Sequence, residues 1–245
     1  MSEHSWPLVD PAPAAAFIDV DGTLLPHTTT FLYARILHRR GLIKASFFFR
    51  ALYHGLQHRF GRLDYSRLTA IGLEYISKIP IAELEAIARE NFDENVKPRL
   101  FRGVAEHFEE LRQRGTTLLL VSSSPGLVLK PLSDYLGCTG MITTPVNIVD
   151  GYMIGLGEGP PCYGAGKLHW VEHWAREHDV DLAQAIAYAD NWSDRPVLER
   201  VGRAVVVRPP RRLAKLARER GWHVINPERA ELDQHRSKAA SSRGS

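Results

Sequence analysis

The sequence predicts an α/β protein: a parallel sheet covered by helices on both faces, with an all-helical cap inserted after its first strand. Three observations lead there. Apolar runs of strand length alternate with helix-patterned segments along most of the chain, and parallel strands need such crossovers between them. The runs are apolar throughout rather than alternately polar, as in strands buried on both faces. Over residues 26–96 the alternation stops, and one helical pattern follows another.

Taken in order, residues 1–12 are polar and Pro-rich and read as a loose leader. Ala15–Val20 is the first strand and breaks at Asp21-Gly22, a turn signal. Helical spacing then fills Thr30–Arg40, Ile43–Phe60, Tyr65–Lys78 and Ile81–Asn95, the expected cap. A helix-like stretch closes at Gly115, as a helix C-terminus should, and leads into the strand Thr116–Val121. Met141–Leu156, with Asp150-Gly151 between two β-rich runs, reads as a β-hairpin. Gln184–Ala189 and Arg203–Val207 are further strands, and Leu213, Leu216 and Ala217 mark a helix ending before Gly221. Residues 227–245 close on Lys238–Ser245, with too little apolar content to pack, and read as a disordered tail. The expected division is therefore a core of 13–25 and 97–226 and a cap of 26–96.

Composition narrows the class. The chain has 245 residues, 44% hydrophobic and 24% charged, which suits a globular protein of one large domain plus an insert. Its net charge of +3 is too small to signal nucleic-acid binding by the whole chain, so no nucleic-acid partner is expected. No apolar run approaches the roughly 18 residues of a membrane-spanning helix, and Met1–Pro7 lacks the pattern of a signal peptide. Cys138 and Cys162 are too few for a disulfide framework or a thiolate zinc site. A soluble, cytoplasmic protein is expected.

Four sites at predicted element ends bear chemistry. In Asp19-Val20-Asp21-Gly22-Thr23 the two aspartates stand at i and i+2 on a strand end, beside a tight turn; a turn-terminated strand is the ordinary alternative. The glycine comes too early for an EF-hand calcium loop. Ser122 follows the apolar run Leu118–Val121, with Ser123, Ser124 and Pro125 behind it. Pro125 suits the first helical position with Ser124 as N-cap, and a hydroxyl beside a helix N-terminus makes a phosphate cradle. Lys167 follows the small residues Gly164-Ala165-Gly166, which would let it enter a crowded site, although a lone lysine is usually solvated. Asp190 follows the run Ala185–Ala189, with Asp194 one helical turn further; acid at a helix N-terminus is itself common.

Together, in this order and on successive strand ends, the four sites resemble the haloacid dehalogenase-like (HAD) hydrolase superfamily. Asp-x-Asp-Gly-Thr-Leu at Asp19–Leu24 is the most specific of the motifs. The position of the helical insert, with Pro160–Lys167 and Ala187–Asp194 behind it, is similar to the phosphoserine-phosphatase-like branch, subfamily IB. The likeness spans roughly residues 14–226. It implies a Rossmann-like sheet and a phosphatase acting on a small phosphorylated metabolite. Asp19 would be the nucleophile that forms an aspartyl-phosphate, and Asp21 the general acid and then base. Crowded carboxylates and a phosphate dianion demand a cation, and Mg²⁺ suits an all-oxygen site. By resemblance its ligands are the Asp19 carboxylate, the Asp21 backbone carbonyl and the Asp190 carboxylate, with Asp194 holding a metal-bound water or orienting Lys167. Lys167 would offset charge, while Gly22, Thr23, Ser122 and Ser123 would bind the phosphoryl group.

Other patterns are weaker. His169-Trp-Val-Glu172-His173 matches an inverted zinc-protease motif without further support, and Gly155-Leu-Gly157-Glu-Gly159 lacks the strand–helix setting of a dinucleotide fingerprint. Asn191-Trp-Ser193 is a formal glycosylation sequon. From Gly22 to Leu63 there is no acid, while Arg35, Arg39, Arg40, Lys44, Arg50, Arg59 and Arg62 lie there with four histidines and Phe47–Phe49. Such a cap would attract phosphorylated substrates, touch an anionic membrane surface weakly, or simply be a solvated face. Thr28 stands where phosphoserine phosphatases carry the glutamate that reads the substrate's ammonium, so phosphoserine loses an obvious partner. Two other readings stay open: a phosphotransferase passing the phosphoryl group to an alcohol, and a non-catalytic module binding anionic surfaces through the cap. Neither the substrate nor the oligomeric state follows from the sequence.

Overall fold

Short runs of small and branched apolar residues lie side by side in parallel and form a six-stranded sheet, seen in a computed structural model that describes residues 6–50, 53 and 65–228. In chain order, β1 (Ala15–Ile18) is followed by the helices α1 (Thr29–Arg39), α2 (Tyr65–Ile76) and α3 (Ile81–Asn91). A π-helical turn, Phe92–Val96, and a 3₁₀ turn, Lys97–Arg99, lead back towards the sheet. Then come α4 (Val104–Gln113), β2 (Thr117–Ser122), α5 (Gly126–Tyr135) and β3 (Gly140–Thr143). A separate antiparallel pair follows, β4 (Val146–Val149) and β5 (Tyr152–Leu156). The chain closes with α6 (Ala165–Glu177), β6 (Ile186–Ala189), α7 (Arg195–Arg200), β7 (Arg203–Val207), α8 (Arg211–Arg220) and β8 (His223–Ile225).

The sheet order is β3-β2-β1-β6-β7-β8. The chain therefore winds outward from β1 in one direction, crosses back, and winds outward from β6 in the other. Such a reversal opens a crevice beyond the carboxyl ends of the two central strands. Alternation along each strand feeds two cores. Ala16, Ile18, Leu118, Leu120, Ile186 and Tyr188 face Phe108 and Leu132 on one side. Phe17, Leu119, Val121 and Ala187 face Val171 and Leu213 on the other. A third cluster lies among the helices between β1 and α4: Tyr33, Ile36, Leu37, Leu84 and Ile87 are buried together, and the Tyr33 hydroxyl donates to the Leu84 carbonyl at 2.8 Å.

Several expectations change. Met141 and Ile142 belong to the main sheet, paired with Leu120 and Val121, and only Val146–Leu156 forms the hairpin. Ile142 is buried in the second core, an environment that a local pattern of β-prone residues does not reveal. The hairpin turn is as its residues suggest, with positive φ at Asp150 (49°) and Gly151 (78°). Its tip meets the helical segment, where the Ile81 amide donates to the Gly151 carbonyl at 2.8 Å. The short edge strand β8 has no counterpart among the expected elements. The helix expected over Ile43–Phe60 is seen at residues 46–50 and 53, and the rest of it, with Arg59 and Arg62, lies outside the described residues. The tail expected over 227–245 lies outside them from residue 229 onward.

The loose leader is a clearer correction. From Trp6 onward it is tied down, because Trp6 buries its indole in the first core and donates to the Arg102 carbonyl at 3.0 Å. The ring stacks on His107, whose Nε2 lies 2.8 Å from the Tyr188 hydroxyl. Burial holds His107 down to a pKa of about 4. A histidine depressed in the native state is neutral there, while the unfolded chain takes up a proton below its ordinary value of about 6.5. The native state therefore loses stability as pH falls from that value towards about 4, by about 2 kcal/mol between pH 7 and pH 5. Urea unfolding of the native chain and of His107→Gln at both pH values checks this. The substitution should flatten the slope, and equal slopes would remove His107 as the cause.

Candidate active site

Each side chain of the site is delivered by the end of a strand or the start of a helix. Asp19 directly follows β1, with its amide tied to the Tyr188 carbonyl at 2.9 Å, so it stands at the switch point beside β6. The chain then turns sharply. Gly22 sits at φ 90°, and its amide donates to the Leu25 carbonyl at 2.9 Å. A Cβ at Gly22 would overlap the Asp190 carboxylate, with its Cγ only 2.5 Å away. Both the backbone angle and the approach of Asp190 thus require glycine here.

Asp19 is only 8% exposed, and both of its oxygens are engaged. Oδ2 accepts the Thr23 hydroxyl at 2.9 Å, and Oδ1 accepts Lys167 Nζ at 2.6 Å. Lys167 is the third residue of α6. Its helix can pack this close because Gly166 leaves no Cβ to collide with the Pro161 carbonyl. The ammonium also lies 2.7 Å from Asp194 Oδ1. Burial works against the charge on Lys167, but the two carboxylates outweigh it and hold the pKa well above the ordinary value.

Asp190 follows β6. Its Oδ1 is buried without a hydrogen-bond partner, and Asp19, Asp190 and Asp194 each bring a carboxylate oxygen within 4.8 Å of the others. Burial first, and then the neighbouring Asp19, push the Asp190 and Asp194 carboxyls upward, and Lys167 opposes this at both. One ammonium is too little charge for three crowded carboxylates. An all-oxygen donor set with an unpartnered buried oxygen fits a hard divalent cation. Among the described residues this is the one group of three or more acidic, histidine or cysteine side chains whose donors converge.

Asp21 is placed differently from the other three aspartates. Its carboxylate stands outside that trio and accepts the Thr29 amide at 2.8 Å, at the start of α1. Burial raises it to a pKa of about 6, with the Thr29 bonds pulling down and Asp19 adding to the rise. Ser122 closes β2, buried, its hydroxyl accepting the Ser124 amide at 3.2 Å. Ser123 lines a cavity with Asp21, and its carbonyl accepts the Thr144 hydroxyl at 2.7 Å.

Some predicted tasks shift. Gly22 and Thr23 use their amides inside the turn, on the Leu25 and Val20 carbonyls, and so shape the motif. Ser124 is not an N-cap: α5 starts at Gly126 with Pro125 before it, and the Ser124 hydroxyl instead lies 2.7 Å from that of Thr30. Two contributors were missed. Thr29 anchors Asp21, and the run Thr28-Thr29-Thr30 ahead of an apolar helix was the available signal. Thr144 braces the Ser123 loop and the Cys162 amide from a connection with no sequence signature. Among the decoys, Glu172 pairs with Arg200 and His173 with Glu177, and Asn191 folds its side chain onto Ser193. In the basic stretch, Arg39 and Arg40 pair with Glu90, and Arg39 also with Glu94, so the charge of these two is offset from α3 and the turn after it.

A family model described as haloacid dehalogenase-like hydrolase matches residues 16–199, from the first strand to beyond Asp194. The chain belongs to the haloacid dehalogenase-like hydrolase family. It is 32% identical over 215 residues to a Mycobacterium tuberculosis protein named phosphoserine phosphatase SerB1, covering 86% of this chain and 70% of that one. It is 26% identical over 222 residues to a histidinol-phosphatase of Neisseria meningitidis, covering 86% and 97%. A crystal structure of a protein of unknown function from Bordetella pertussis superposes with a TM-score of 0.79 at 26% identity, covering 86% of this chain and 97% of that one. The haloacid dehalogenase-like fold thus accounts for the parallel sheet, the switch-point site and the order of the motifs.

The Gly22–Asp190 contact makes a direct prediction. Gly22→Ala adds a methyl at the Asp190 carboxylate and strains a left-handed backbone, costing about 1–2 kcal/mol of stability. Its larger effect should be on cation binding. Calorimetric titration with Mg²⁺ should show affinity weakened by about tenfold or more, as when a ligand's support is lost. Unchanged Mg²⁺ affinity would mean that Asp190 is free to move aside.

Proposed function

We propose that the chain is a Mg²⁺-dependent phosphatase that hydrolyses a small phosphomonoester through an aspartyl-phosphate on Asp19. The observation that carries this is the pairing of two differently held carboxylates on one strand end. Asp19 is tied to Lys167 and Thr23 within a cluster of acids, while Asp21 is held apart on the Thr29 amide with a raised pKa. Nucleophilic and acid–base tasks need this difference in surroundings, one carboxylate fixed beside an ammonium and the other buried with its pKa raised to about 6. Family membership and the phosphatases among its relatives support the same reading.

In the first step an Asp19 oxygen attacks phosphorus, and the ester P–O bond breaks. The leaving oxygen takes the Asp21 proton, so an alcohol departs and Asp21 is left ionised. In the second step Asp21 accepts a proton from water, whose oxygen attacks phosphorus and releases inorganic phosphate from Asp19. Lys167 and the Ser122 hydroxyl face the phosphoryl oxygens and offset their growing charge. The carboxylates of Asp19 and Asp190 and the Asp21 carbonyl would hold Mg²⁺, with Asp194 orienting Lys167 or a water. Bound there, the ion supplies charge neutralisation for the transferring group. A small phosphorylated metabolite and a cytoplasmic setting complete the proposal.

The test is turnover of p-nitrophenyl phosphate with Mg²⁺, paired with rapid acid quench. Asp19→Asn should lower kcat by about a thousandfold or more, as loss of a nucleophile does. Quenched native protein should carry a hydroxylamine-labile phosphate on the peptide containing Asp19. Asp19→Asn turnover within tenfold of the native chain, or label on another residue, would overturn the mechanism.

A further inference from the structure

A cavity of about 310 Å³ begins at Asp21 and runs into the helical segment. Asp21, Ser123 and Ser124 form one part of its wall, and Thr28 and Thr30 at the start of α1 another. The remainder is mostly apolar, including Ala34, Leu37, Ile43, Leu73, Ile76 and Val128, with Tyr33, Thr69 and Tyr75 among them. Phe31 lines it while remaining about half exposed, so its ring stands at the opening.

Among the described residues, Asp21 is the one charged group that lines this space. Its two phenols are already engaged, Tyr33 on the Leu84 carbonyl and Tyr75 with the Arg50 guanidinium at 3.0 Å. Arg50 stacks against the Tyr75 ring and is not part of the cavity wall. The Ser124 hydroxyl is held by Thr30. A carboxylate entering with the substrate would lose its water and meet no cation among the described residues, a heavy penalty in an apolar site, and an ammonium would meet only Asp21, the group that carries the leaving-group proton. A methylene or aromatic ring would gain from the same burial.

We propose that the group esterified to phosphate is an uncharged apolar one, an alkyl or aryl alcohol, seated in this cavity with its ester oxygen towards Asp21. This rests on the phosphatase reading and deepens it. The division is spatial: the strand ends handle the phosphoryl group whatever it is attached to, and α1, α2 and α5 choose what it is attached to. The small volume, at the low end for ligand pockets, selects a compact group.

The experiment measures kcat/KM of the full chain with Mg²⁺ for ethyl, butyl and hexyl phosphate, with O-phosphoserine and p-nitrophenyl phosphate alongside. Each added methylene should raise kcat/KM about threefold, from burial of its surface. Hexyl phosphate should exceed phosphoserine by about tenfold or more, the cost of leaving the serine carboxylate without a cation. Gly72 offers a separate handle: it lines the cavity from α2, a Cβ there meets nothing within 4 Å, and leucine suits a helix. Gly72→Leu should cut the hexyl-to-ethyl ratio by about fivefold or more as the cavity fills. A flat alkyl series, or phosphoserine equal to hexyl phosphate, with p-nitrophenyl phosphate still hydrolysed, would overturn the apolar pocket and leave the phosphatase standing. No hydrolysis of any of the esters would overturn both.

Discussion

A single buried ammonium organises the centre of this molecule. Lys167 lies between Asp19 and Asp194, within 2.7 Å of each, at 5% exposure. Two ions of one sign cannot be held beside each other out of water without a partner, and removing one member of such a cluster costs about 3–5 kcal/mol. Much of the surrounding structure can be read as what brings the three charges together. The first strand ends at Asp19, a glycine lets α6 approach, and a 3₁₀ turn, Trp192–Asp194, carries Asp194 inward. Geometry this costly to arrange is retained for what it holds in place, and here it holds Asp19.

The same cluster is short of positive charge. Asp190 sits against Gly22 with a buried oxygen unpartnered, and both later aspartates are pushed towards their neutral forms. Asp21 escapes that crowd because α1 begins beside it and presents the Thr29 amide. One helix start thus separates two carboxylates that are neighbours in sequence into two chemical environments. The same helix forms a wall of the largely apolar cavity, so the segment that anchors Asp21 also borders the space for the organic group.

The acidic and serine positions were legible because strand ends in a parallel sheet are marked by abrupt changes from apolar to polar residues, and Lys167 because small residues precede it at a helix start. Their supports were not. Thr144 braces the Ser123 loop across twenty-one residues, and Trp6 packs on His107 across a hundred; neither leaves a local pattern. The boundary between Ile142 in the main sheet and Val146 in the hairpin also escaped, since both runs favour β structure and only the neighbouring strand distinguishes them. The basic stretch after Gly22 has no acid of its own, and the acids that pair with Arg39 and Arg40 arrive about fifty residues later.

By itself the sequence determined the alternation of buried strands with helices, the helical insertion, and the residue types at each strand end. These follow from local hydrophobicity, turn chemistry and spacing. Only the tertiary structure decided which carboxylates meet, which one is held apart, and that the space beside Asp21 is apolar. Those outcomes depend on distances between segments far apart in the chain, and on burial, which alters the charge state of a group without altering its identity.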